Sequence, residues 1–127
     1  MIFKTKRVYN LEDVFSKLYY TDTNSKKKKG FFFNEEINLA SLKLSTFKEK
    51  GIACVSCNRV GSHFRLQKRI SESKFYLSLW TEDDLEMTKD HIYPKSRGGQ
   101  DILDNMQPMC SECNTKKGNT LDITYLN

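Results

Sequence analysis

Between Lys89 and Asn119 the chain reads K-D-H-I-Y-P-K-S-R-G-G-Q-D-I-L-D-N-M-Q-P-M-C-S-E-C-N-T-K-K-G-N. An acid, Asp90, stands beside an imidazole, His91. Asn105 follows a loop rich in glycine and basic residues, and Asn114 sits directly behind the pair Cys110-x2-Cys113. A carboxylate oxygen suits a hard divalent cation, and a neutral imidazole accepts a proton near pH 7. Water attack on a phosphodiester needs both. The stretch therefore points to metal-assisted hydrolysis, and the elements around it must bring these groups to one place.

The four cysteines fall as two C-x2-C pairs, Cys54/Cys57 and Cys110/Cys113, with residues 58–109 between them. In a chain without a secretory leader, paired knuckles read as a tetrahedral four-thiolate zinc site rather than as disulfides. Such a site is closed, so the zinc is structural and contributes folding free energy directly. At 127 residues the chain is one domain with at most an appended arm, a size at which a staple is useful. A catalytic ion has to be held elsewhere.

Hydrophobic residues make up 38% and charged residues 29%, a globular balance. No apolar run approaches a membrane span and the N-terminus has no signal-peptide core, so the expectation is a soluble, cytoplasmic protein with no membrane partner. The net charge of +5 is unevenly spread. Residues 1–53 carry 11 Lys/Arg against 6 Asp/Glu, whereas residues 54–127 carry 10 against 10. A basic front half suits an arm that tracks a polyanion while the chemistry lies behind it, and suits a merely soluble surface as well.

The positioning elements follow from periodicity. Residues 10–20 read as a short helix capped by Asn10, with Leu11, Val14, Phe15, Leu18 and Tyr19 on one face. Thr21 to Gly30 is polar and basic, a linker or loop; its Lys26–Lys29 run suits phosphates and a solvated loop equally. Phe31-Phe32-Phe33 read as core or docking residues. A second helix is expected from a cap at Asn34, with Ile37, Ala40, Leu44 and Phe47 at helical spacing and Gly51 at its end. Beyond the first knuckle, residues 63–68, 74–80 and 86–91 alternate as an antiparallel meander that delivers Asp90 and His91 to its end. Pro94 ends pairing, and Gly98-Gly99 permits a tight loop. Residues 106–109 return as a strand, and Ser111 to Lys117 form a helix stopped by Gly118. His63 reads as a surface or packed histidine, and Phe75, Tyr76 and Trp80 as core. Arg59, Arg65, Lys68 and Arg69 suit either a nucleic-acid groove or the wet face of a hairpin.

The pattern D-H-I-x-P-x-S-x-G-G followed by N-M-x-x-M-C-x-x-C-N-x-x-K-G-N resembles the HNH endonucleases, more narrowly the small zinc-stapled type of bacteria and their phages. The resemblance covers roughly residues 51–119. It implies an α+β, treble-clef, ββα-metal domain over 51–127 with an antiparallel hairpin, behind an N-terminal helical basic arm over 1–50. It also implies a metal-dependent DNA endonuclease that leaves 5′-phosphate and 3′-hydroxyl ends. By position His91 is then the general base, and Asp90 a ligand of one divalent ion. Asn105 becomes the residue that bonds across the loop and holds the histidine, and Asn114 the second metal ligand, where the family usually has His. An amide oxygen in that place favours Mg2+ or Mn2+ over softer ions. Lys95, Arg97, Lys116 and Lys117 are candidates for gripping flanking phosphates.

The rival reading is a zinc-stabilised nucleic-acid-binding module that has lost catalysis, and an RNA-directed nuclease is a further alternative. The sequence leaves open the oligomeric state, the site recognised, and nicking against double-strand cleavage. Double-stranded DNA is the expected partner, in the cytoplasm of a bacterial or phage-infected cell.

Overall fold

A computed structural model describes residues 2–19 and 28–118. The Lys26–Lys27 half of the lysine run and Asn119 lie outside the described residues. The described chain is a small mixed α/β structure whose paired strands are all antiparallel. Strand β1 (Phe3–Tyr9) leads into helix α1 (Leu11–Phe15). The hairpin β2 (Lys29–Phe32) and β3 (Glu35–Asn38) precedes helix α2 (Leu42–Lys50). Strands β4 (Gly61–Arg69) and β5 (Tyr76–Thr81) complete a three-stranded sheet of order β1-β4-β5. Strand β6 (Met87–His91), strand β7 (Met106–Cys110) and helix α3 (Ser111–Lys117) follow.

Local chemistry fixes the helices. The Asn10 side chain accepts from the Asp13 amide at 2.8 Å, and α1 stops at Phe15, shorter than its periodicity suggested. The second helix begins later than expected. Phe33 (φ 43°) and Asn34 (φ 66°) both adopt the left-handed conformation of a tight hairpin turn, so Asn34 turns a hairpin and caps no helix. Ser41 is the actual cap, accepting from the Leu44 amide, and Gly51 follows the last turn. The apolar positions were legible even though the element was not: Ile37, Ala40, Leu44 and Phe47 are all buried. Of the three consecutive phenylalanines only Phe32 is buried; Phe31 and Phe33 are exposed.

Among the described residues up to 50, three strands, β1, β2 and β3, stand beside the helices α1 and α2. β1, for which no element was expected, pairs with β4 from Phe3↔Arg69 to Tyr9↔Phe64. Its exposed K-T-K-R-V run lies on a sheet edge and carries little apolar signal. Val14, Leu18, Phe32, Ile37, Leu44 and Phe47 share one core with Phe64, Leu66, Leu77, Leu79, Met87 and Met109. Burying each of these large side chains contributes roughly 1.5–3 kcal/mol, so the core spans the expected boundary at residue 50.

The expected meander is also cut short. β5 and β6 meet only at the bridge Trp80↔Glu86, after which β6 pairs with β7 from Met87↔Cys110 to His91↔Met106. β7 runs straight into α3. A smaller cluster of Leu42, Leu103 and Met106 braces the loop between β6 and β7 against α2. Among the described residues no helix is long and apolar enough to cross a membrane.

Candidate functional site

The four cysteines converge. Their sulfurs lie within 4.8 Å of one another, and none is in a disulfide. Cys54 and Cys57 sit on the knuckle before β4. Cys110 ends β7 and caps α3, its Sγ accepting from the Cys113 amide at 3.4 Å. The knuckles are tied by backbone as well, through Val55 N to Pro108 O at 3.0 Å. Arg59 faces the cluster: its backbone N–H, and then its guanidinium 3.4 Å from the sulfur, lower the Cys57 thiol to about 6. Burial pushes Cys113 up to about 12. Arg59 thus favours the thiolate of Cys57, and burial favours the thiol of Cys113. A tetrahedral ion such as zinc fits this donor set.

The second constellation is built on β6, its loop and α3. Thr88 and Asp90, two apart on a strand, point to one side. α3 lies there: Asn114 Nδ2 donates to Thr88 Oγ1 at 2.8 Å, and Lys117 Nζ meets Asp90 Oδ2 at 2.9 Å. The Thr88 hydroxyl gives its hydrogen to Met109 O, so it must accept from Asn114, and this orients the amide. The Asn114 carbonyl oxygen is left pointing away from Thr88. Asp90 is buried and also accepts from Gln107 Nε2 at 2.9 Å, its register partner on β7. One Asp90 oxygen is doubly engaged, and Oδ1 accepts from no other described residue.

His91 ends β6. Its Nε2 lies 2.6 Å from Asp101 Oδ1, and the other oxygen of Asp101 lies 3.3 Å from Lys95 Nζ. The hydrogen bond from His91 and then that from Lys95 hold the Asp101 carboxyl below its ordinary range. An ionised carboxylate only accepts, so the hydrogen is on Nε2 and the lone pair of a neutral ring is on Nδ1.

Asn105 closes the loop between His91 and β7. Its Oδ1 accepts from Tyr93 N at 2.9 Å, and its Nδ2 donates to Tyr93 O at 3.1 Å and Gln100 O at 2.9 Å. Its own carbonyl accepts from Ile92 N at 2.8 Å. It grips the backbone on both sides of the His91–Asp101 contact. Gly98 takes φ +99° with open space around it, whereas a Cβ on Gly99 would stand 1.8 Å from Tyr93 O, so the close approach requires glycine at 99.

The four bases expected to grip phosphate fare differently. Arg97 and Lys116 are exposed, Lys116 with Glu112 at 3.8 Å. Lys95 is exposed but paired with Asp101. Lys117 is turned inward, only 11% exposed, and also donates to His91 O at 2.8 Å; its ammonium is committed to β6 and does not face solvent. Asp101, Gln107 and Thr88 were not singled out by the sequence. Gln107 emerges only from the register of β6 on β7, and Asp101 only from the path of the loop.

His63 stands apart. Its Nδ1 lies 2.6 Å from Ser62 Oγ and its Nε2 accepts from Arg65 Nε, while burial and then Arg65 lower its basicity. Of the bases given a choice between groove and wet face, Arg59 pairs with Asp83 and Glu112, and Arg65 pairs with Asp84 and covers Trp80.

Residues 80–126 match the family model described as HNH endonuclease. No curated protein and no solved structure shows a match to the chain. The matched segment contains β6, β7, α3 and the second knuckle, and leaves the first knuckle and β1 to β4 outside it. The family points to nuclease activity in general, on nucleic acid. Over residues 80–126, this chain is similar to the HNH endonuclease family.

Proposed function

We propose that the chain is a metal-dependent endonuclease that hydrolyses phosphodiester bonds of DNA, built as a treble-clef, ββα-metal unit on β6, β7 and α3 with a structural zinc on Cys54, Cys57, Cys110 and Cys113. His91 is the general base. Asp90 and Asn114 are the protein ligands of one Mg2+ or Mn2+ ion. The observation that carries this reading is the tautomer imposed by Asp101, which leaves Nδ1 of His91 able to take a proton from water. The water oxygen then bonds to phosphorus, the bond from phosphorus to the 3′ oxygen breaks, and that oxygen leaves to be protonated by solvent. A divalent ion on Asp90 and Asn114, when bound, supplies positive charge against the scissile phosphate and the leaving oxygen.

The donor set fits such an ion. Asp90 Oδ1 and the Asn114 carbonyl are hard oxygens on the α3 side of β6, and an ion of the Mg2+ class commonly takes one or two protein oxygens and completes its shell with water and substrate. Arg97 and Lys116, with Lys4 and Arg7 on the edge strand β1, supply exposed positive charge for the phosphate backbone. The structural unit proposed as the nuclease is 51–127. Residues 1–50 are proposed to add basic surface while packing into the same core.

A second reading, a nucleic-acid-binding module without catalysis, has one observation in its favour: Lys117 already neutralises Asp90. Supercoiled plasmid, single-stranded DNA and RNA are incubated with the protein under Mg2+ or Mn2+. Metal-dependent nicking of plasmid, lost in His91→Ala with zinc content and thermal unfolding unchanged, is the expected result. Binding without cleavage under every ion establishes the second reading, and equal cleavage by His91→Ala removes the mechanism.

A further inference from the structure

We propose that Asp101 is the positioning residue for His91: its carboxylate accepts the hydrogen bond from Nε2–H and turns the Nδ1 lone pair toward the attacking water. This rests on the general-base role of His91. It assigns the orientation of the ring to a residue outside the motif, whereas the motif gives that duty to Asn105. Asn105 makes its side-chain bonds to the backbone of Tyr93 and Gln100 and none to the imidazole. Asp101 is the residue that touches the ring, at 2.6 Å.

The two assignments connect. Asn105 holds the carbonyl of Gln100, the residue immediately before Asp101, and its own carbonyl holds the amide of Ile92, the residue immediately after His91. Asn105 therefore fixes the backbone distance across which Asp101 and His91 meet. Lys95 completes the cradle. Its ammonium, 3.3 Å from the second oxygen, steers the carboxylate so that the first faces His91. Lys95 is then an anchor for Asp101 rather than a phosphate clamp. An imidazole held through one nitrogen by a carboxylate presents the other nitrogen in one direction, which is what proton transfer to a base requires.

The chain carries an internal control. Arg65 Nε can only donate, so His63 Nε2 is a bare acceptor and its hydrogen is on Nδ1. The two histidines of the sequence are thus held in opposite tautomers, and long-range proton–nitrogen correlation spectra of the free protein distinguish them without any nuclease assay.

Wild-type protein is expected to show a slowly exchanging, low-field Hε2 resonance on His91. Asp101→Ala is expected to lose it, and Asp101→Asn, which retains an acceptor oxygen, to recover part of it. In plasmid nicking, Asp101→Ala is expected to lower kcat about 10- to 100-fold with KM within about twofold, Asp101→Asn falling between it and wild type. A wild-type spectrum lacking the resonance, or Asp101→Ala retaining it, overturns the proposal. So does a rise in KM at constant kcat, which is the mark of a phosphate contact. A wild-type protein that shows the resonance but cleaves nothing removes the nuclease reading instead, and the positioning role falls with it while the contact stands.

Discussion

The ammonium of Lys117 lies 2.9 Å from the carboxylate of Asp90, and both side chains are almost wholly buried, at 11% and 7% exposure. The only acid proposed to hold a divalent ion is thus already balanced by a cation of the same chain. Asn114 adds no charge. A doubly charged ion entering this site therefore finds little compensation from the protein, and the scissile phosphate must supply it. On the proposed reading, ion and nucleic acid are expected to bind cooperatively, each weak without the other.

Replacing Lys117 by Met separates these terms. Without the ammonium, Asp90 is an uncompensated buried charge, and the ion-free protein is expected to lose about 3 kcal/mol of stability. Mn2+ binding to the free variant should be about tenfold tighter than to wild type, equivalent to ~1.4 kcal/mol. Calorimetric titration and thermal unfolding with and without Mn2+ provide the measurement. An affinity equal to or weaker than that of wild type would show that Lys117 holds Asp90 ready for the ion instead of competing with it.

With zinc as the proposed staple, the sulfur cluster sets a pH window. The folded pKa of Cys57, about 6, lies below the ordinary thiol value of 9.0. Its thiolate therefore favours the fold fully above pH 9, and that contribution is lost as pH falls through about 6. Cys113 is the reverse: pushed up to about 12 by burial, it favours the metal-free fold as a thiol below pH 9, and zinc must expel its proton. Bound zinc keeps the sulfurs deprotonated to lower pH than the metal-free cluster does, so zinc release to a colorimetric chelator should rise steeply only at a pH below 6. Arg59→Met, which removes the guanidinium from Cys57 but keeps the backbone N–H, should move that midpoint upward. A pH-independent release, or an unmoved midpoint, refutes the assignment. Full chelation at neutral pH should unfold the protein, because Cys54 and Cys110 sit at the centre of the core.

Much of this was readable from residue types. The second knuckle, the two strands that precede it, the helix ended by Gly118 and the tight loop at Gly98-Gly99 follow from local chemistry, and local chemistry is what a sequence records. What escaped reading was set by partners distant in the chain. β1 is a strand because β4 offers it an edge, not because K-T-K-R-V alternates. Asn34 has the residue type of a helix cap and also tolerates the left-handed conformation, and the pairing of β2 with β3 decided between them. Lys117 has the composition of a phosphate clamp, yet its place on α3 opposite Asp90 turns it inward. Asp101 carries no motif signal because its role arises only when the loop closes.

The loop itself makes the sharpest contrast. Gly98 has a positive φ but open space around its Cα, so Gly98→Ala costs only backbone strain of about 1 kcal/mol. Gly99 has no unusual φ, but a methyl group there would penetrate the Tyr93 carbonyl at 1.8 Å, and the Gly99 amide already donates to Pro94 O at 2.9 Å. Tyr93 must move, and Asn105 grips both its N–H and its C=O, so the displacement reaches Gln100 and Asp101. Gly99→Ala is expected to cost about 1–3 kcal/mol and to lower nicking more than tenfold, with zinc content unchanged. Gly98→Ala should retain activity within a few-fold. Thermal unfolding and nicking rates of the two variants, measured side by side, decide the matter: if Gly98→Ala is the more damaging, the loop is held by its turn conformation and not by the close approach of residues 93 and 99.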